Sequence, residues 1–219
     1  MRNRPLPSRP PTPPGPKTPR LQLGAALMTV MMILVIVSML GLSAIQIAVM
    51  SERGSRNDRD LQVALQAADA ALVDAAYDID GGGSPALRRP EVFSNDSAAD
   101  FTAGCGDSAS GHGKGLCLAA LAGKPVWLTV DFAGPAADAR TVSLGEFTGR
   151  AFAVAEAGSR GGVMPSLKPR YIIEAVPDGE AFADLRRKTG YVYRVTAIGF
   201  GPRPDIQAVL QMVYRRRTD

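Results

Sequence analysis

Two cysteines, Cys105 and Cys117, and the single histidine, His112, share one Gly-rich segment, CGDSASGHGKGLC. A thiolate beside an imidazole could serve as a nucleophile, and the same atoms could ligate a metal. With one histidine and two cysteines, though, a zinc site would need carboxylates whose placement the sequence does not specify. A histidine in a Gly-rich loop is more often simply solvated. GHGKG has the glycines of a phosphate loop but not its spacing: Lys114 is followed by Gly115 rather than Ser or Thr, and position 108 is a serine. No G-x-S-x-G nucleophile elbow occurs, and CGDSASG does not fit one. The expectation is a protein that is not an enzyme, with no cofactor, no metal and no small-molecule substrate. In an oxidising compartment the two cysteines would close a local disulfide, contributing about 3 kcal/mol through loop-closure entropy. In a reducing one they would remain free thiols. Topology decides between these readings.

Charge is unevenly placed. The formal net charge is +4, yet residues 1–24 hold Arg2, Arg4, Arg9, Lys17 and Arg20 and no acid. That leaves 20 basic against 21 acidic residues on the remainder, a net of −1. A nucleic-acid partner would need its basic surface on the folded domain, so none is expected. Eight of the 17 prolines fall within residues 1–20, where each removes an amide donor and fixes φ. This leader is not expected to fold.

From Leu21 to Ser51 no residue is charged. Ala25–Met50 alone gives 26 residues, about 39 Å of helix, where a bilayer core needs about 30 Å. A core helix of a soluble domain is rarely apolar on every face for that length, and a secretory signal has a shorter apolar stretch with a small-x-small site after it. The segment reads as a single membrane span. Five positive charges precede it, while Glu52, Arg53, Arg56, Asp58, Arg59 and Asp60 nearly cancel after it. The positive-inside rule then keeps the N-terminus cytoplasmic and exports the C-terminal domain, which favours the disulfide.

Helical periodicity resumes with Leu61, Leu65, Ala68, Leu72 and Ala75, while Gln62, Gln66, Asp69 and Asp78 fall largely off that stripe. Gly81–Gly83 ends it. One helix could thus run from residue 25 to about 79, apolar all round in its first half and amphipathic in its second. Strands are expected at Lys124–Phe132, Thr141–Phe147, Ala151–Ala155, Tyr171–Val176, Tyr191–Phe200 and Ile206–Tyr214. GPRPD at 201–205 is turn chemistry that should close an antiparallel hairpin. Residues 81–123 read mostly as loop with a short helix around Leu116–Leu121, and Pro177–Thr189 as a polar connection with room for another. Arg215–Arg217 reads as a solvated end. The resulting division is a leader at 1–24, a span at 25–50, its amphipathic continuation at 51–80 and a globular domain at 81–219. The fold class is α+β, a long helix packed on an antiparallel sheet.

The segments GAALMTVMMILVIVSMLGLSAIQ and SERGSRNDRDLQVALQAADAAL resemble the N-terminal region of PilX-type minor pilins of type IV pili. That pattern joins an uncharged helix to E-R-x-x-x-N-x-R-D, here Glu52, Arg53, Asn57, Arg59 and Asp60, and then to Q-A-A-[ED]-A-x-L, here Gln66–Leu72. The likeness covers about residues 22–75. A weaker one recurs at Pro169–Val176 and Tyr193–Gly201. The resemblance implies a pilin-like fold with a four- to five-stranded antiparallel sheet. It also implies cleavage by prepilin peptidase after Gly24, leaving an N-methylated Ala25, although Leu23 stands where many members have a basic residue. Major pilins carry a glutamate where this chain has Thr29, and the PilX pattern shares that lack. A neutral residue there suits a subunit at or near the pilus tip that primes assembly. Implied partners are other minor pilins, the major pilin, prepilin peptidase and the bacterial inner membrane. The implied location is that membrane, with a periplasmic domain later carried into an extracellular pilus. Two other readings remain: a type II secretion minor pseudopilin, which usually has a larger domain, and an uncleaved single-span periplasmic interaction protein.

Overall fold

A computed structural model describes residues 25–120, 122–134, 139–156, 163–178 and 190–217. The leader with Gly24, and most of the Pro177–Thr189 connection, lie outside the described residues. The chain divides into two compact units, Met1–Glu52 and Arg53–Asp219.

One helix, α1, runs from Ala25 to Ile79, 55 residues. In the first unit every described side chain from Ala26 onward is exposed, including Leu34, Ile36, Leu40 and Ile45. Its few hydroxyls turn back on the helix: Thr29 Oγ donates to Ala26 O (2.9 Å), Ser38 Oγ to Leu34 O and Ser43 Oγ to Met39 O. Such bonds satisfy a polar group without a second chain or water. This helix is long and apolar enough to cross a membrane, by length and composition.

In the second unit, α1 buries Ala64, Ala67, Ala68, Ala71, Leu72, Ala75 and Ile79. Of the expected stripe Ala68, Leu72 and Ala75 are buried, whereas Leu61 and Leu65 are about two-fifths exposed and Ala64, Ala67 and Ala71 make the contact instead. Small side chains let the helix lie close to the sheet. At Gly199 a Cβ would run into the helix backbone of Ala64, Ala67 and Ala68, with Ala67 C at 2.9 Å. The helix stops at Ile79, and Gly81 (φ 77°) and Gly83 (φ 103°) take left-handed conformations that suit glycine.

The sheet has five strands: β1 (Leu116–Leu118), β2 (Val142–Ser143), β3 (Arg170–Pro177), β4 (Tyr191–Phe200) and β5 (Gln207–Tyr214). β4 and β5 form the expected antiparallel hairpin, and β3 pairs antiparallel with β4 to extend it into a meander, with Ile173 opposite Val195 and Val195 opposite Met212. β2 pairs antiparallel with the start of β3, and β1 pairs parallel beyond it, Cys117 opposite Glu174. The sheet is therefore mixed, though mostly antiparallel.

Several local expectations are corrected. Leu116–Leu118 is a strand rather than a helix; Gly115 (φ 71°) breaks the chain just before it, and Ile173 donates to Gly115 O. Lys124–Phe132 is not a strand but carries a 3-10 turn at Val126–Leu128. Its apolar alternation still has a use, because Val126, Val130 and Phe132 pack on the sheet. Thr141–Phe147 keeps only two strand residues before Gly145 (φ 86°) turns it away. Ala151–Ala155 forms no ladder; Ala155 donates a single bond to Pro165 O.

Both sheet faces are covered. Tyr171, Ile173, Ala175, Tyr193, Val195 and Ala197 face the larger core with Ala71, Leu72, Ala75 and Ile79. Phe93, Phe101 and Tyr193 cluster there, Phe93 edge-on to Tyr193 at 5.5 Å and Phe101 stacked on it at 5.7 Å. Ile172, Ile198 and Phe200 face a smaller core with Val126, Val130, Phe132 and the two cysteines.

Candidate functional site

The cysteines form a disulfide, Cys105–Cys117, with Cα atoms 4.1 Å apart. Both sulfurs are thereby committed, so a Cys-His nucleophile is not available. The loop they close is held from within: Asp107 Oδ1 accepts from the amides of Ala109 and Ser110, and Ser110 Oγ accepts from Asp107 N. Gly106 donates to Leu116 O and Gly115 donates to Gly106 O. His112 sits half exposed, its Nδ1 2.6 Å from Glu91 Oε1. The Glu91 carboxyl lies below its usual range because of a bond from its own backbone amide, with His112 contributing.

The loop is tied to the end of α1 by a buried cluster. Asp78, expected off the buried stripe, is fully enclosed and meets Arg89, which is equally enclosed. Arg89 Nη2 donates to Asp78 Oδ2 at 2.8 Å and Nε bridges both carboxylate oxygens at 3.2 Å. Nη1 donates to the carbonyls of His112 and Lys114, each at 2.6 Å. The guanidinium lies over the Phe147 ring, 3.7 Å from its centroid. Tyr171 Oη donates to Asp78 Oδ2 at 3.0 Å. Burial, followed by the Asp78 charge, pushes the Tyr171 hydroxyl well above its ordinary range, so it acts as a donor at every physiological pH.

Two more carboxylates of the same helix end do similar work. Asp74 Oδ1 accepts from Thr148 Oγ1 (2.5 Å) and Oδ2 from Gly145 N (2.8 Å), fixing the turn after β2. Burial raises the Asp74 carboxyl above its ordinary value, and the Thr148 and Gly145 bonds only partly oppose this. Asp80 accepts from Tyr214 Oη and Arg217 Nη2. Burial pushes its carboxyl up, but those two partners prevail and hold it low. The arginines after β5 are not a loose solvated end. Arg216 Nη1 donates to the carbonyls of Pro90 and Phe93, and Arg215 pairs with Asp178.

Sequence reasoning missed this cluster. Asp74 and Asp78, four residues apart and flanking Ala75 on its buried side, were the available signal. Acids on the buried face of a helix require partners.

The motif residues lie elsewhere. Ala25 and Thr29 are near the start of α1, and Glu52, Arg53, Asn57, Arg59 and Asp60 near its middle. All but Asp60 in that second set are exposed, and Arg59 Nη2 lies 3.4 Å from Asp60 Oδ1. Asp60 and Asp78 are separated by roughly 27 Å of helix, so the motif and the cysteine loop are not one site. Among the described residues no three His, Cys, Asp or Glu side chains gather in a metal-binding group.

A helix with an apolar half and a half laid on a mostly antiparallel sheet defines the class: an α+β domain on a single apolar helix. Residues 24–73 match the family description "PilX N-terminal", and residues 113–216 match "Type IV pilus assembly protein PilX C-term". Together they cover well over half of the chain, which belongs to the PilX family of type IV pilus assembly proteins. Its single N-terminal apolar helix fits a single-pass membrane anchor. No curated protein and no solved structure is significantly similar to the chain.

Proposed function

We propose that this protein is a minor pilin, a non-catalytic structural subunit that enters a type IV pilus. The observation carrying the reading is one helix, Ala25–Ile79, with an uncharged part, Ala25–Met50, followed in the chain by a part laid on a sheet, and the family match beginning at Gly24. Such a helix can reside in a bilayer and then pack among other apolar helices without an uncompensated charge. The leader at residues 1–24 stays cytoplasmic, prepilin peptidase cuts after Gly24, and Ala25 becomes the methylated N-terminus. The domain at residues 81–219 is periplasmic until assembly, which agrees with its disulfide. Intact-mass analysis in a host with active prepilin peptidase tests this directly. A mass corresponding to Ala25–Asp219 plus one methyl group is expected; retention of residues 1–24 would remove the pilin reading.

Within that reading, the subunit sits at or near the tip with other minor pilins and primes addition of the major pilin. Thr29 supports this, because its hydroxyl is spent on Ala26 O and offers no carboxylate to a neighbour's amine. Immunogold labelling of sheared pili should mark one filament end, and Thr29→Glu should carry label into the shaft. Native protein already spread evenly along filaments would end the tip argument.

A further inference from the structure

The turn after β2 and the cysteine loop enclose an open cleft of about 640 Å³ that no part of the pilin reading uses. Among the described residues its charged lining is Lys114, Lys168 and Arg170 against one carboxylate, Glu146, with His112 at the rim. Leu144 and Phe147 form its floor but are themselves buried, 3% and 8% exposed. The cleft already shows how it receives a carboxylate. Lys114 Nζ donates to Glu146 Oε1 at 2.6 Å, and the Ser143 amide donates to Oε2 at 3.0 Å. That pairing occupies the most enclosed cation, since Lys114 is about one-tenth exposed. Lys168 is exposed, and Arg170, opposite Ser143 in the β2–β3 pair, spends Nη1 on Gly134 O at 2.9 Å. The fork of an arginine has further donors, so among the described residues the cleft carries excess positive charge.

We propose that this cleft binds an acidic side chain presented by a peptide segment of a protein partner. The carboxylate docks between Lys168 and Arg170. Ionised pairs of this kind are the stronger hydrogen bonds. A phosphate polymer suits the cleft less well, because it would bring many charges past Glu146, whereas a single carboxylate can face Lys168 and Arg170 alone. The inference concerns the folded domain and does not depend on cleavage at Gly24 or on position in a pilus.

The test uses the full chain, 15N-labelled, in uncharged detergent micelles. Acetyl-Gly-Phe-Glu-Gly-amide should shift the amides of Ser143–Phe147 saturably, and the Gln counterpart should bind about tenfold more weakly or worse, the equivalent of about 1.4 kcal/mol. Lys168→Gln, at an exposed position, should weaken binding severalfold while leaving the remaining amide spectrum in place. Added salt should weaken it too, as screening shortens the reach of the cleft's charge. Absence of shifts at millimolar peptide, equal binding of the Glu and Gln peptides, or unchanged affinity in Lys168→Gln would each overturn the proposal. Tighter binding of dextran sulfate than of the acidic peptide would overturn it in favour of a polyanion.

Discussion

Arg89 and Asp78 form an ion pair with no solvent exposure on either side chain, Nη2 to Oδ2 at 2.8 Å. The pair joins the last turn of α1 to the segment after it, and through Nη1 to two carbonyls of the cysteine loop. Its geometry uses the arginine fork fully: two edges to the carboxylate and loop, one face to Phe147. Removing one partner leaves the other charge buried. Arg89→Met should therefore cost about 3–5 kcal/mol. Arg89→Lys should recover little, because an ammonium cannot reproduce the fork. Urea unfolding of the full chain in uncharged detergent, followed by Trp127 fluorescence, measures both. The double variant Arg89→Met, Asp78→Leu should lose less than the two single losses added together, since no lone charge remains. Additive losses would show that the pair does not act as a unit.

Gly199 marks the closest approach of sheet and helix. A Cβ there meets backbone, not a side chain that could swing away. Gly199→Ala should cost about 1–3 kcal/mol by overpacking, and Gly199→Val more. The same unfolding measurement reads both. An alanine variant as stable as the native chain would mean that the helix can lift from β4 without loss.

The closing hairpin and the helix were legible in the sequence because each carries a long signal, whereas the strand order was not. YVYRVTAIGF alternates cleanly, GPRPD supplies its turn, and the uncharged run needs no period at all. Short pieces were not legible. Leu116–Leu118 carries too few residues for a period, and its parallel pairing with β3 depends on a partner more than fifty residues away. Lys124–Phe132 has strand-like residues but pairs with no strand among the described residues, and its apolar side chains fill the second core around a 3-10 turn. The disulfide could be read from composition and topology. The Asp74, Asp78 and Asp80 contacts could not, since Thr148, Arg89 and Tyr214 come from widely separated segments.

The disulfide spans a sequence separation of 12 and sits against the smaller core. Replacing both cysteines by serine should cost about 3 kcal/mol, on the loop-entropy account. Additional loss is expected because Cys117, fully buried, would become a hydroxyl among Val126, Phe132 and Ile172. Cys105→Ala with Cys117→Ala removes the bond without that hydroxyl, so the difference between the two variants separates the terms. Unfolding midpoints with and without reductant provide the control: the native chain should shift with reductant, and neither double variant should.

Asp74 gives a pH dependence whose sign follows from its burial. Its folded-state carboxyl is raised above its ordinary value of 3.8, so ionising it is harder in the folded chain than in the unfolded one. Below 3.8 both states hold the proton, and the group costs nothing. As pH rises from there through the folded value, the unfolded chain releases its proton first, and stability falls until both states are ionised. Asn at this position can still accept from the Gly145 amide and can donate to the Thr148 hydroxyl, without carrying a charge. Asp74→Asn should therefore gain on the native chain as pH rises from below 3.8 toward neutrality. Other groups, such as Asp80, which is held low and so loses stability in acid, are common to both proteins and cancel in the comparison. Thermal unfolding of the two chains across that range gives the difference directly. A gap that moves in favour of the native chain with rising pH would mean that Thr148, Gly145 and Arg150 outweigh the burial of Asp74.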